Sequence, residues 1–305
     1  MRVLVPFKDV DGRPYSSEVM SGGIERFIKL LDQNFDFVDV HEIVGKDYTR
    51  TVLGDVAERS KDYDLVVCNY PNPKFNVELE QRTDAPIAWI CHHTAKLAPD
   101  HKDVERRMRD FGGTLWMVSD HQRIKWGAKV RGLVPPAYAD AVEVEQPDRY
   151  AITIGRSDKE PLMLHVLGIE EGFRTIVVTN GERSLWDGTM VNSPHSAVMA
   201  MLARASCYVS TWAGENFPIT TLEALARGIP VAAISEDGSH ASSQFFLRPF
   251  FGAVVDKRGA GTAIKSLMRS SDETRREIAH LTQQEFSRGR WLDSIHRFFE
   301  EATRK

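Results

Sequence analysis

Short, almost wholly apolar runs alternate along this chain with stretches of helical periodicity, and few folds accept that alternation. "RVLVPF", "YDLVVCNY", "APIAWICHH" and "GTLWMVS" have few polar positions, so neither face of a strand built from them can meet water. "GGIERFIKLLDQN" and "TVLGDVAERS" fall between such runs and carry the spacing of a one-sided helix. Strands apolar on both faces belong to parallel sheets covered by helices on either side, which is the βαβ architecture.

The pattern pauses and then restarts. "LVPPAYADAVEVEQPDRY", Leu133 to Tyr150, is rich in proline and acids and reads as a linker. Beyond it come "YAITIGRSDKEPLMLHVLGI", "FRTIVVTN", "HSAVMAMLARA", "SCYVSTW" and "FGAVVD", a second α/β series of similar length. The 305 residues suffice for two such domains, each with its own core. Ligands of these sheets bind beyond the carboxyl ends of the strands. "SGGIE", "CHHTAK", "IGRSDK", "TNGE" and "WAGEN" all fall at those ends.

Composition narrows the function classes. A net charge of −4 with 42% hydrophobic residues argues against a wholly basic nucleic-acid binder, a disordered chain and a membrane span. The opening "MRVLVPF" lacks a long apolar h-region, and the three cysteines have no paired spacing. Reduced thiols and a cytoplasmic setting are therefore expected.

The most informative stretch is "WAGENFPITTLEALARGIPVAA", Trp212 to Ala233. Pro218 reads as the opener of a helix, and Gly228 and Pro230 as its close. Glu215 then lies in the loop and Glu223 on the first turns, around a helix start whose unpaired N–H groups favour anions. Two isolated acids so placed need do no more than suit the helix dipole. In "IGRSDK", Arg156 and Lys159 follow a strand end; a forked guanidinium and a point charge together suit a diphosphate, although a surface turn carries the same residue types. Gly22 and Gly23 precede a helix and let backbone N–H groups approach an anion.

His92 and His93 end an apolar strand, where an imidazole can orient a hydroxyl or take part in proton transfer. No second Cys or His pair stands at ligand spacing, and neither Asp9 with Asp11 nor Asp62 with Asp64 makes a convincing cation site, so no metal is expected. Between His92 and Arg131, basic residues outnumber acids, with Lys96, Lys102, Arg106, Arg107 and Lys125 among them. That excess suits a polyanion or, equally, a solvated helix face.

Taken together, these pieces resemble the two-domain GT-B glycosyltransferases, specifically the retaining family that contains sucrose synthases, mannosyltransferases and phage DNA α-glucosyltransferases. The most specific likeness is the Glu-x7-Glu motif from Glu215 to Glu223. The glycine loop, "WICHH", "VSDHQRIKWG", "VPPAYAD", "IGRSDK" and the late "EFSRGRW" support it. The resemblance implies two Rossmann-like domains facing each other across a cleft: an acceptor domain over 1–146, a nucleotide-sugar donor domain over 147–286, and a C-terminal helix over 287–305 crossing back to the first. It implies that Glu223 holds the ribose, Glu215 the donor sugar, and Arg156 and Lys159 the diphosphate with backbone N–H groups near Asn216 and Phe217. Gly22 and Gly23 would line the phosphate and acceptor side. His92 or His93 would stand beside the transferring sugar; "HH" occupies the place where "HD" is frequent, so the two remain unranked.

The co-substrate so implied is a UDP- or GDP-linked sugar, with no other cofactor and no integral membrane association. "CHHTAKLAPDHKDVERRM" resembles the corresponding stretch of a phage DNA α-glucosyltransferase and suggests a hydroxymethylated base in duplex DNA as acceptor. A soluble glycan or lipid-linked saccharide is the alternative. A non-catalytic nucleotide-sugar binder and an epimerase of the same fold are the readings from other classes.

Overall fold

The structure is a computed structural model of the chain. It describes residues 1–7, 23–43, 50–69, 73–92, 101–119, 130–155, 162–179, 189–191, 194–211, 217–235 and 251–304. They form two compact units, Met1–Ala137 with Trp291–Lys305, and Tyr138–Arg290.

The first unit is built on strands β1 (Val3–Phe7), β2 (Val38–Glu42), β3 (Leu65–Cys68), β4 (Ile87–Cys91), β5 (Thr114–Met117) and β6 (Val130–Leu133). They lie in the order β2-β1-β3-β4-β5-β6 with every ladder parallel. Helices α1 (Gly23–Asn34), α2 (Arg50–Ser60), α3 (Pro73–Glu80) and α4 (His101–Asp110) make the crossovers. The central strands β1, β3 and β4 are buried at every position, whereas the edge strands β2 and β6 are mostly part-exposed. This contrast is why "VLVPF" and "IAWIC" are unbroken apolar runs and "VDVHE" is not.

The second unit repeats the plan with β7 (Tyr150–Ile154), β8 (Arg174–Thr179), β9 (Thr189–Val191), β10 (Cys207–Ser210), β11 (Val231–Ile234) and β12 (Gly252–Val255). Their order is β12-β11-β10-β7-β8-β9, again with parallel ladders. Its helices are α5 (Leu162–Glu171), α6 (His195–Ala203), α7 (Ile219–Ala226), α8 (Ala260–Leu267) and α9 (Asp272–Glu285). One core face gathers Tyr150, Leu202, Tyr208, Leu222, Leu225 and Ile278; the opposite face gathers Leu164, Cys207, Val209, Ile234 and Ile264.

The proline-rich connection is held by the second unit. Ala139 is buried and its N–H donates to Phe286 O at 2.8 Å, while Gln283 Nε2 donates to Val142 O at 3.0 Å. The last helix, α10 (Arg288–Thr303), is separated from α9 by Phe286 and Ser287, and from Trp291 onward it belongs to the first unit. Trp291, Ile295, Phe298 and Phe299 of α10 are buried there. Phe299 meets Phe35 edge-on at 5.4 Å, Phe298 meets Trp116 at 4.9 Å, and Trp291 Nε1 donates to Pro135 O at 2.9 Å.

Candidate functional site

In each sheet the chain reverses its direction of winding once, and in open parallel sheets such a reversal is where ligands bind, beyond the carboxyl ends of the strands. In the first sheet the reversal lies between β1 and β3, in the second between β7 and β10. The candidate residues lie on segments that leave these strands or their neighbours.

In the second unit, β10 leads to α7. Pro218 is the N-cap residue, not the first helical one, because its carbonyl accepts the first helical bond, from Leu222 N at 3.1 Å; among the described residues no side chain caps this end. Phe217, just before it, is half-buried against the core. The helix is buried from Thr221 to Ala226, so Glu223, only 7% exposed, is a carboxylate inside an otherwise apolar and hydroxyl-bearing segment. Its surroundings register the charge: burial first, and then Glu223, raises the pKa of Tyr208 on β10, against a hydrogen bond to Thr220. Thr221 Oγ1, also fully buried, has no hydrogen-bond partner among the described residues.

The helix ends as its "ARGIP" suggests. Gly228 has φ +71°, Ile229 N reaches back to Ala224 O at 3.0 Å, and Gly228 N to Leu225 O at 2.9 Å. Arg227 Nη1 donates to Glu223 O at 3.0 Å. Beside β10, β7 runs to Ile154, and Gly155 N donates to Val178 O at 3.0 Å. Arg156 and Lys159 follow at once in sequence but lie outside the described residues, as do Glu215 and Asn216.

In the first unit, β4 delivers His92. Its Nε2 lies 3.1 Å from Asn69 Oδ1, and its ring packs against Phe27 of α1 at 5.5 Å. Asn69 follows β3 and is buried; nothing in the sequence distinguishes it, because a polar residue directly after the run "LVVC" reads merely as the end of a strand. Gly23 is the first residue of α1, with Glu25 in the first turn and buried. Gly22 and His93 lie outside the described residues.

Of the basic stretch, Lys102, Arg106 and Arg107 lie on α4, where Arg106 is exposed and Arg107 half-buried; Lys96 and Lys125 lie outside the described residues. Asp9 and Asp11 also lie outside them, while Asp64 accepts from Arg2 N at 2.7 Å at the chain's start. Among the described residues, no three His, Cys, Asp or Glu side chains gather as a metal site, and no helix is long and apolar enough to cross a membrane. An open depression of about 550 Å³, lined by Met1, Ser60, Tyr63, Asp64 and Pro86, lies at the amino-terminal edge of the first sheet, where the strands enter, and none of the candidate residues lines it.

The family model for glycosyl transferases group 1 matches residues 151–277, less than half of the chain. No curated protein sequence matches the chain. Among solved structures, Anabaena Alr3699/HepE in complex with UDP-glucose is similar at 12% identity and a TM-score of 0.76, over 99% of this chain and 100% of that one. Sucrose-phosphate synthase from Thermosynechococcus elongatus is similar at 14% identity and a TM-score of 0.70, over 99% of each chain. The pneumococcal O-GlcNAc transferase GtfA, in complex with UDP and GlcNAc, is similar at 16% identity and a TM-score of 0.67, over 83% of this chain and 60% of that one. At these identities the likeness is one of fold. Two units with parallel sheets and these neighbours give the chain the GT-B fold, and within it residues 151–277 are similar to the glycosyl transferases group 1.

Proposed function

We propose that this protein is a retaining glycosyltransferase that moves a sugar from a nucleotide-sugar donor to a hydroxyl acceptor. The observation that carries the reading is Glu223, a buried carboxylate within the stretch matched by the group 1 model, on the helix that follows a switch-point strand. A carboxylate so placed can accept charge-assisted hydrogen bonds from the paired hydroxyls of a ribose. The similar structures with UDP-glucose and with UDP and GlcNAc support a nucleotide-linked donor, UDP- or GDP-linked.

In this reading Glu223 holds the ribose, and Glu215 contacts the donor sugar. Arg156 and Lys159, with backbone N–H groups near Asn216 and Phe217 and at Gly22 and Gly23, meet the phosphates, and His92 or His93 meets the transferring sugar. Fixed positive groups then stabilise the leaving diphosphate as the transition state acquires oxocarbenium character, with no carboxylate required as nucleophile. Transfer is expected to persist in EDTA and to retain the anomeric configuration. The acceptor we carry forward is a saccharide hydroxyl; a hydroxymethylated base in DNA rests on the basic stretch alone and draws no support from the similar structures.

The test is calorimetric titration with UDP-glucose and GDP-mannose, followed by transfer assays with the tighter donor. Acceptors are a panel of glycans and hydroxymethylcytosine DNA, each with and without charge reversal at Arg106 and Arg107. Binding of a nucleotide sugar, weakened about tenfold or more in Glu223→Ala, is expected from the loss of a charge-assisted hydrogen bond. Absence of binding by either donor, or wild-type affinity in the variant, overturns the donor assignment. Transfer to modified DNA that fails on charge reversal would replace the saccharide acceptor by the DNA base.

A further inference from the structure

The contact between His92 and Asn69 has a chemical consequence beyond holding two side chains together. A neutral imidazole carries one proton and one lone pair, and the partner of one nitrogen decides which role the other plays. Here the partner of Nε2 is the amide oxygen Oδ1 of Asn69, at 3.1 Å, an atom that can only accept. For this contact to be a hydrogen bond to Oδ1, Nε2 carries the proton, and Nδ1 is then the acceptor of the ring. Phe27, fully buried on α1, packs against the ring at 5.5 Å and restricts its tilt.

We propose that Asn69 is a positioning residue that fixes His92 as the neutral Nε2–H tautomer and thereby presents Nδ1 to the reacting sugar. Three observations support this. Asn69 stands directly after β3, at the switch point of its sheet, where its neighbour β4 delivers His92. It is 2% exposed, so water does not compete for the bond. Its Nδ2 has no hydrogen-bond partner among the described residues, so among them the amide is held by His92 and not by a wider network. The choice of an amide over a carboxylate also matters. An Asp at this place would favour the imidazolium, whereas an amide oxygen orders the ring without charging it, so His92 can still accept a hydrogen bond or a proton at neutral pH.

The tautomer stands independently of the enzyme's reaction; its kinetic consequence rests on the glycosyltransferase reading above. The experiment therefore has two arms. The first records long-range ¹H–¹⁵N spectra of the full chain with ¹⁵N-labelled histidine, with His92 assigned by the loss of its signals in His92→Gln. The wild-type protein is expected to show the Nε2–H pattern at neutral pH, Asn69→Ala a mixture of tautomers, and Asn69→Asp a titration midpoint for His92 raised by about one pH unit or more. A wild-type Nδ1–H pattern overturns the proposal even if neither variant folds, as do variants in which the His92 signals do not move.

The second arm measures transfer. Asn69→Ala is expected to lower kcat about tenfold or more while KM for the nucleotide sugar changes little. Asn69→Asp is expected to restore part of kcat and to move the acidic limb of the pH profile upward. If the tautomer responds and kcat does not, Asn69 still sets the tautomer but has no part in positioning for catalysis, and the placing of His92 at the sugar falls. If the protein transfers no sugar at all, the function falls while the spectra still decide the tautomer.

Discussion

Gly172 and Gly228 each follow a helix with positive φ, +72° and +71°, yet what surrounds them differs. A Cβ at Gly172 meets nothing within 4 Å, whereas at Gly228 it would stand 2.2 Å from the backbone oxygen of Arg275. Gly172→Ala is therefore expected to cost about 1 kcal/mol from backbone strain alone, and Gly228→Ala more than about 2 kcal/mol because backbone must also move. Denaturant midpoints of the two variants check this, and equal losses would contradict it. The thiols supply a second prediction at this scale. Burial pushes the pKa of both Cys68 and Cys207 up to about 12. Both states keep these protons below pH 9, so the stability linked to them is fully present there; from pH 9 to 12 the unfolded thiols ionise first and it is lost. Stability measured against pH should fall through that window, and neither thiol should react with a disulfide reagent at pH 8 until the chain unfolds.

Element α7 combines two demands that conflict. Its burial on nearly every side supports the second core, and Glu223 sits within that burial. Glu223→Gln keeps the volume and removes the charge. It should change the thermal midpoint by no more than a few degrees, because volume and shape are kept, while weakening nucleotide-sugar binding about tenfold, because an amide oxygen accepts hydrogen bonds less strongly than a carboxylate. Thermal denaturation and calorimetry on the same preparation check both halves; a variant that loses stability and keeps affinity would make Glu223 a structural residue. Helix α9 shows a buried charge with a structural reason. Arg275, 2% exposed, donates from both terminal nitrogens to Ala205 O at 3.3 Å, and desolvation lowers its pKa. It joins α9 to the turn between α6 and β10.

At the scale of the whole molecule, the chain completes its first unit with its last helix. Phe298 is fully buried in α10 and packs on Trp116 of β5, so a fold begun by Met1 is closed by residues near 300. Phe298→Ala should cost about 3 to 5 kcal/mol and should act on the first unit. Hydrogen exchange should accelerate in β1 and β5 and remain unchanged in β10 and β11. Uniform acceleration would mean that the two units unfold as one.

Much of this was legible in the sequence because burial on both faces of a strand leaves an unmistakable apolar run. The two parallel sheets and the glycine that ends α7 follow from local rules of periodicity and backbone conformation. The pairing of His92 with Asn69 was not legible, because the two are 23 residues apart and meet only once β3 and β4 lie side by side. Nor was the burial of Glu223, since a lone acid on a short helix looks the same whether that helix faces water or a core. The sequence by itself determined which segments become strands and helices, through side-chain pattern and the conformational limits of glycine and proline. Only the tertiary structure decided which polar groups are withdrawn from water and which partner each one meets, because desolvation and hydrogen-bond geometry depend on neighbours that are distant along the chain.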